Sequence, residues 1–197
     1  MSATTAEFLI ELQEITKTYP GVAALQQVSF GMKAGEVHAL MGENGAGKST
    51  LIKILAGAIR PTSGRIVAGG KALEQLAPKE AAAMGISVIY QEFNLIPYLS
   101  VAENMFLGKE IRHGPFRDRK AMKSRAGEIL RRLGVDIDPD SRVKDLSVAY
   151  QQMVEIAKAL TQECKVLVMD EPTAPLSRHE VDKLFEAVRF LKRHGVL

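Results

Sequence analysis

The run Gly42-Glu43-Asn44-Gly45-Ala46-Gly47-Lys48-Ser49-Thr50 satisfies every fixed position of the phosphate-binding pattern G-x-x-x-x-G-K-[ST]. The glycines let successive backbone N–H groups curl around phosphate oxygens, Lys48 adds a point charge, and Ser49 offers a hydroxyl to Mg²⁺. Such a loop works only between a strand and a helix. Val37-His38-Ala39-Leu40-Met41 reads as a short buried strand, and Leu51 to Ala56 reads as a helix whose positive end adds to the anion site. The plain alternative is a glycine-rich turn with a chance lysine, and the flanking elements argue against it.

A phosphate loop also needs a second strand that delivers an acid to the metal. Val166-Leu167-Val168-Met169 is an apolar strand ending in Asp170-Glu171. Asp170 would hold Mg²⁺ through water, and Glu171 would polarise a water attacking a γ-phosphate. Adjacent acids are also common as surface charge; their place after an apolar strand, downstream of the loop, separates the two readings.

The elements that position these residues point to an α/β chain: a phosphate-loop core with a parallel sheet, an added N-terminal antiparallel β-subdomain, and a helical subdomain over about residues 100–160. Strand patterns fall at Phe8 to Ile15, Val28 to Met32, Arg65 to Val67, Ile86 to Tyr90 and Val166 to Met169. Ser100 and Glu103 have capping-box spacing for a helix running to Gly108. A charged helix follows from Arg119 to Leu133, and its cations (Arg119, Lys120, Lys123, Arg125, Arg131, Arg132) read as a solvated face. The last helix opens on Ser177 and Glu180, carries the stripe Val181, Leu184, Phe185, Val188 and Leu191, and closes at Gly195. Val196-Leu197 look like the start of another strand.

Composition narrows the function classes. A 197-residue chain with 46% hydrophobic and 25% charged residues is expected to be a soluble globular protein of about one domain. The net charge of +3 is small and dispersed and so does not argue for a nucleic-acid partner; none is expected. The single cysteine, Cys164, has no internal partner and fits a reducing compartment. Met1 to Glu7 has neither the basic nor the apolar part of a signal peptide, and no apolar run reaches the roughly 18 residues of a membrane span.

Four segments together resemble the ATP-binding domain of an ATP-binding-cassette (ABC) transporter: the phosphate loop, Tyr90-Gln91-Glu92, Leu146-Ser147-Val148-Ala149-Tyr150-Gln151-Gln152, and Asp170-Glu171-Pro172-Thr173. Tyr19 to Leu25 and Gln91 to Asn104 resemble more narrowly the first ATPase domain of the ribose- and galactose-type importers. The resemblance implies MgATP bound by Tyr19, stacked on adenine, and by Gly42, Glu43, Asn44, Gly45, Ala46, Gly47, Lys48, Ser49 and Thr50. It implies Lys48, Gln91 and Glu171 as catalytic groups and Ser49, Gln91 and Asp170 as metal ligands. It further implies that Ser147 acts in trans on a nucleotide held by a second ATP-binding domain, and that Glu92 to Leu99 meets a transmembrane permease. A sugar-binding protein would act through that permease, at the cytoplasmic face of the inner membrane.

The chain departs from the family in three places. The signature's Gly-Gly-Gln is replaced by Val148, Ala149 and Tyr150, adding a β-carbon where backbone should approach phosphate. Ala174-Pro175-Leu176-Ser177 stands where Ser-Ala-Leu-Asp is usual. The histidine that follows the next strand falls beyond Leu197 by the family's spacing, so the expectation is a domain truncated before its last strand; His38, His113, His179 and His194 do not replace it. The rival readings are a nucleotide-binding regulatory cassette with weak or no hydrolysis, and a soluble cassette acting outside transport.

Overall fold

The structure, a computed structural model, describes residues 8–174 and 176–197, the side chain of His179 excepted. Met1 to Glu7 and Pro175, on which the leader expectation and part of the altered stretch after Thr173 rest, lie outside the described residues. The chain divides into two compact units. The first comprises the chain up to Val88 with Lys165–Val168 and Leu191–Leu197; the second comprises Ile89–Cys164 with Met169–Phe190.

In the first unit, β1 (Ile10–Tyr19) and β2 (Val22–Met32) form a long hairpin across Pro20-Gly21, with Gly21 at φ 78°. β3 (Ser63–Ala68) and β4 (Lys71–Leu73) complete an antiparallel sheet of order β2-β1-β3-β4, the expected added subdomain. Alternation along β1 turns Ile10 and Leu12 inward, where they bury with Ile15 and Ile66 against Leu51, Ile54 and Leu55 of α1 (Lys48–Leu55). The hairpin is irregular where Glu14 and Gln27 take left-handed φ of 52° and 48°. Side chains replace the missing ladder there: Glu14 N–H donates to Ser29 Oγ at 2.8 Å and Gln27 N–H to Thr16 Oγ1 at 3.0 Å.

After α2 (Pro78–Ala83), β5 (Ile86–Ile89) pairs with β8 (Val166–Met169). Val166 N–H bonds Gly85 O, and Asp170 N–H bonds Ile89 O, so the pair runs parallel, as an α/β core requires. Leu197 donates to Lys165 O at 2.9 Å and accepts from Leu167 N–H at 2.7 Å, bracketing Val166 as a parallel neighbour does.

The expected strand Val37–Met41 is not formed. These residues run as irregular chain, with Val37 59%, Leu40 46% and Met41 87% exposed. An apolar run becomes a strand only where neighbours supply its ladder. Here the start of the segment is held back on the antiparallel sheet: His38 Nε2 lies 2.8 Å from Glu36 Oε2 and its ring stacks near Phe30 at 6.5 Å.

The second unit contains α3 (Val101–Met105), the small hairpin β6 (Arg112–His113) and β7 (Phe116–Arg117), α4 (Arg119–Arg132), a 3₁₀ turn at Val143–Asp145, and α5 (Val148–Ala159). α6 (Arg178–Arg193) follows β8 and crosses into the first unit at Leu191. The Ser100/Glu103 box caps α3 through Glu103 N–H to Ser100 Oγ and Ser100 N–H to Glu103 Oε2. Asp118 caps α4 by accepting from Ala121 N–H at 2.9 Å. All six cations of α4 face solvent, while Met122, Ala126, Ile129 and Leu130 turn inward. Along α6, Leu184, Ala187 and Leu191 are buried, whereas Phe185, expected in the stripe, is 48% exposed. The buried face follows the three- and four-residue steps through Ala187 and leaves Phe185 just outside it. Among the described residues no helix is long and apolar enough to cross a membrane.

Candidate functional site

The phosphate loop is assembled around Gly47, which caps α1 at φ 87°. A β-carbon there would run into the Ala24 carbonyl oxygen and come within 2.9 Å of Leu25 Cδ2, so close packing on β2 as well as the left-handed turn demands glycine. Leu51 N–H bonds Gly47 O at 2.9 Å and buried Leu51, Ile52, Ile54 and Leu55 anchor the helix, aiming its first turn outward at the loop. No acidic residue lies in that turn. Its positive end is therefore not neutralised from within the helix.

Lys48 folds over the loop and donates to Gly42 O at 2.6 Å and Glu43 O at 2.9 Å. Both acceptors are neutral carbonyls, which a phosphate oxygen would displace as the stronger partner. Ser49 is exposed and Thr50 half-buried on the same turn. In the same unit Tyr19 closes β1 with its ring 40% exposed and Lys17 Nζ 5.3 Å from the ring centre.

The remaining predicted residues belong to the second unit. Asp170 N–H bonds Ile89 O at 2.9 Å, so the parallel pairing sets the chain leading into Gln91 beside the start of Asp170-Glu171. Gln91 and Glu171 are exposed and Asp170 is half-buried. Glu171 has φ 46°, a left-handed conformation uncommon for a non-glycine residue and disfavoured before proline. Such local strain concentrates at sites where a side chain must be aimed. Ser147 caps α5 through a long contact, Tyr150 N–H to Ser147 Oγ at 3.4 Å.

Ser49, Gln91 and Asp170 offer oxygen donors alone, the ligand type of a hard cation. Among the described residues no group of three or more His, Cys, Asp or Glu comes together to cage a metal.

Three side chains of the second unit were not anticipated. Asn104, fully buried, accepts from Ile96 N–H at 2.7 Å and donates to Ile96 O at 3.0 Å and Ser100 O at 3.1 Å. Glu155 Oε1 accepts from Asn94 N–H at 2.7 Å, and Lys158 Nζ donates to Asn94 O at 2.9 Å. Burial pushes the Glu155 carboxyl above its ordinary value, against the opposing pull of Lys158 and of the Asn94 N–H. The readable signal was a polar residue inside an apolar helical run: Asn104 before Met105, and Glu155 between Val154 and Ile156.

The ABC transporter family model matches residues 25–174. A ribose import ATP-binding protein of Streptomyces coelicolor is 52% identical over 196 residues, covering 100% of this chain and 38% of its own length. A second, from Rubrobacter xylanophilus, is 57% identical over 188 residues, and a putative ribose/galactose/methyl galactoside import ATP-binding protein of Agrobacterium fabrum is 50% identical over 196. The chain thus spans somewhat over a third of the length of these curated relatives. Among solved structures, an ATP-binding cassette of an ABC transporter in its ADP conformation superposes with a TM-score of 0.84 at 28% identity, over 95% of this chain and 78% of that one. Loop, acid pair, fold and sequence agree: the chain belongs to the ABC transporter family, as an ATP-binding domain.

Proposed function

We propose that this chain is the ATP-binding and ATP-hydrolysing domain that powers import of a monosaccharide through an ABC transporter. It would work peripherally at the cytoplasmic face of the membrane, with a second ATP-binding domain and a transmembrane permease, and through the permease a sugar-binding protein. The observation that carries the reading is the loop–helix junction at Gly47-Lys48, packed on β2 and presenting an un-neutralised helix end and a lysine to phosphate. The names of relatives at 50–57% identity support the sugar class.

In this reading Gly42 to Thr50 wrap the phosphates, Tyr19 stacks on adenine, and Ser49, Asp170 and Gln91 are the groups that would hold Mg²⁺. Mg²⁺, when bound, neutralises charge that develops on the phosphate oxygens. Lys48 shares that task, and Glu171 orients the attacking water and accepts its proton. Ser147 serves the nucleotide of the second domain.

Glu171→Gln in the full-length protein tests this. It should keep MgATP affinity within about threefold while turnover falls by a factor on the order of 10² to 10⁴. A regulatory cassette that only binds nucleotide would show the same turnover in both proteins, and that result would refute the reading.

A further inference from the structure

Asn94 is exposed, yet its peptide is held at both ends by side chains of one helix: Glu155 takes its N–H at 2.7 Å and Lys158 its carbonyl at 2.9 Å. The two side chains stand three residues apart, hence side by side on one face of α5. Glu155 is only 6% exposed within an otherwise apolar stretch, and a buried carboxylate is tolerated only where partners receive it. Those partners here are the loop peptide and its neighbouring lysine.

The next residues are fastened as well. Asn104 grips both polar groups of the Ile96 peptide, Lys144 N–H donates to Pro97 O at 2.9 Å, and Lys144 Nζ lies 5.2 Å from the Tyr98 ring centre. Ile96 and Tyr98 are thereby presented outward, 41% and 73% exposed, on a fixed backbone. The helix that holds Asn94 is the one capped by Ser147, whose Cα is eight residues, or about 12 Å of helix, from that of Glu155.

We propose that Glu155 and Lys158 are positioning residues that lock the segment after Gln91 to α5, so that the exposed Ile96–Tyr98 knob and Ser147 move as one rigid piece. A push on the knob then reaches Ser147 without loss in a flexible loop. This rests on the function proposed above, in which the knob meets the permease and Ser147 meets a nucleotide.

The test uses the full-length protein, with and without its permease, as wild type, Glu155→Ala, Glu155→Gln and Lys158→Met. Amide hydrogen exchange at Asn94 reads the lock directly. Glu155→Ala and Lys158→Met should speed it roughly tenfold or more, the effect of losing a charge-assisted bond. Glu155→Gln keeps an acceptor oxygen and should lie near wild type. MgATP affinity and permease-free turnover should stay within about twofold, while permease-stimulated turnover falls by roughly tenfold. Lys158→Met replaces a half-buried side chain by an uncharged one of similar reach and keeps the test decisive should Glu155→Ala fail to fold. Unchanged exchange at Asn94, or faster exchange with full stimulation, overturns the proposal. A wild-type protein that binds no MgATP would instead sink the function reading, and exchange at Asn94 alone would then decide the lock.

Discussion

Replacing Asn104 by alanine should destabilise the helical unit more than any other single polar deletion near the site. The side chain is fully buried and makes three bonds of ordinary length, to Ile96 N–H, Ile96 O and Ser100 O, while its contact with Leu99 O at 3.4 Å adds little. At about 1 kcal/mol net per bond the loss is about 3 kcal/mol. Two corrections reduce it. Ile96 O keeps the N–H of Leu99 at 3.2 Å as a partner, and alanine is the better helix former by about 0.5 kcal/mol. The orphaned Ile96 N–H restores part of the cost, leaving about 2–3 kcal/mol, or a fall in Tm of about 5–10 °C for a chain of this size. Urea and thermal unfolding followed by circular dichroism would measure it. Asn104→Asp is the informative companion: it keeps an acceptor for Ile96 N–H but turns a negative charge toward carbonyl oxygens. It should be at least as damaging near neutral pH and recover as acid protonates it. A loss below about 0.5 kcal/mol for Asn104→Ala would mean that water satisfies Ile96, and would refute the claim that this side chain holds the segment.

Two further outcomes follow from local geometry. Gly47→Ala combines a left-handed φ with a collision against the Ala24 carbonyl, so it should cost at least about 2 kcal/mol of stability and abolish nucleotide binding measured by titration calorimetry. Glu103 is held below the ordinary carboxylate range chiefly by the N–H of Ser100, against a smaller opposing push from burial. Its folded pKa is thus the lower one, so the stability it contributes is present above the ordinary range and is lost as pH falls through the folded value. Urea midpoints of wild type and Glu103→Gln should differ near pH 7 and converge near pH 3, with a gap on the order of 1 kcal/mol.

What could be read from sequence divides by the range of the interaction. Capping at Ser100 and Ser177 depends on neighbours within four residues, and the structure contains both. The strand at Val37–Met41 was the opposite case, since its ladder must come from distant chain and here His38 is engaged with Glu36 and Phe30 instead. Asn104, Glu155 and Lys158 escaped for the same reason. Their partners, Ile96 and Asn94, are bound through backbone groups, which every residue carries and no sequence pattern marks.

The altered signature shows where burial corrects a reading by residue type. Counted in sequence, Val148, Ala149 and Tyr150 are three departures at a surface meant to approach phosphate. In the structure they are not equivalent. The methyl of Ala149 is directed into the helical unit at 8% exposure, and Tyr150 is half-buried with Lys183 Nζ 5.5 Å from its ring centre. Val148 alone faces out, at 40% exposure, on the first turn of α5. In the function proposed above, where Ser147 serves a nucleotide of a second domain, the obstacle would then be one β-branched side chain, and Ser147, whose capping bond is long, keeps a hydroxyl only weakly committed to its own helix. Val148→Gly should raise turnover of the intact transporter by about tenfold, the worth of one recovered amide–phosphate bond. Ala149→Gly should leave turnover unchanged and cost about 1 kcal/mol in stability from the glycine in the helix. Steady-state hydrolysis by the two single variants and their combination separates these effects. If Ala149→Gly proves as activating as Val148→Gly, the inward methyl is no bystander and the assignment of the obstacle to Val148 fails.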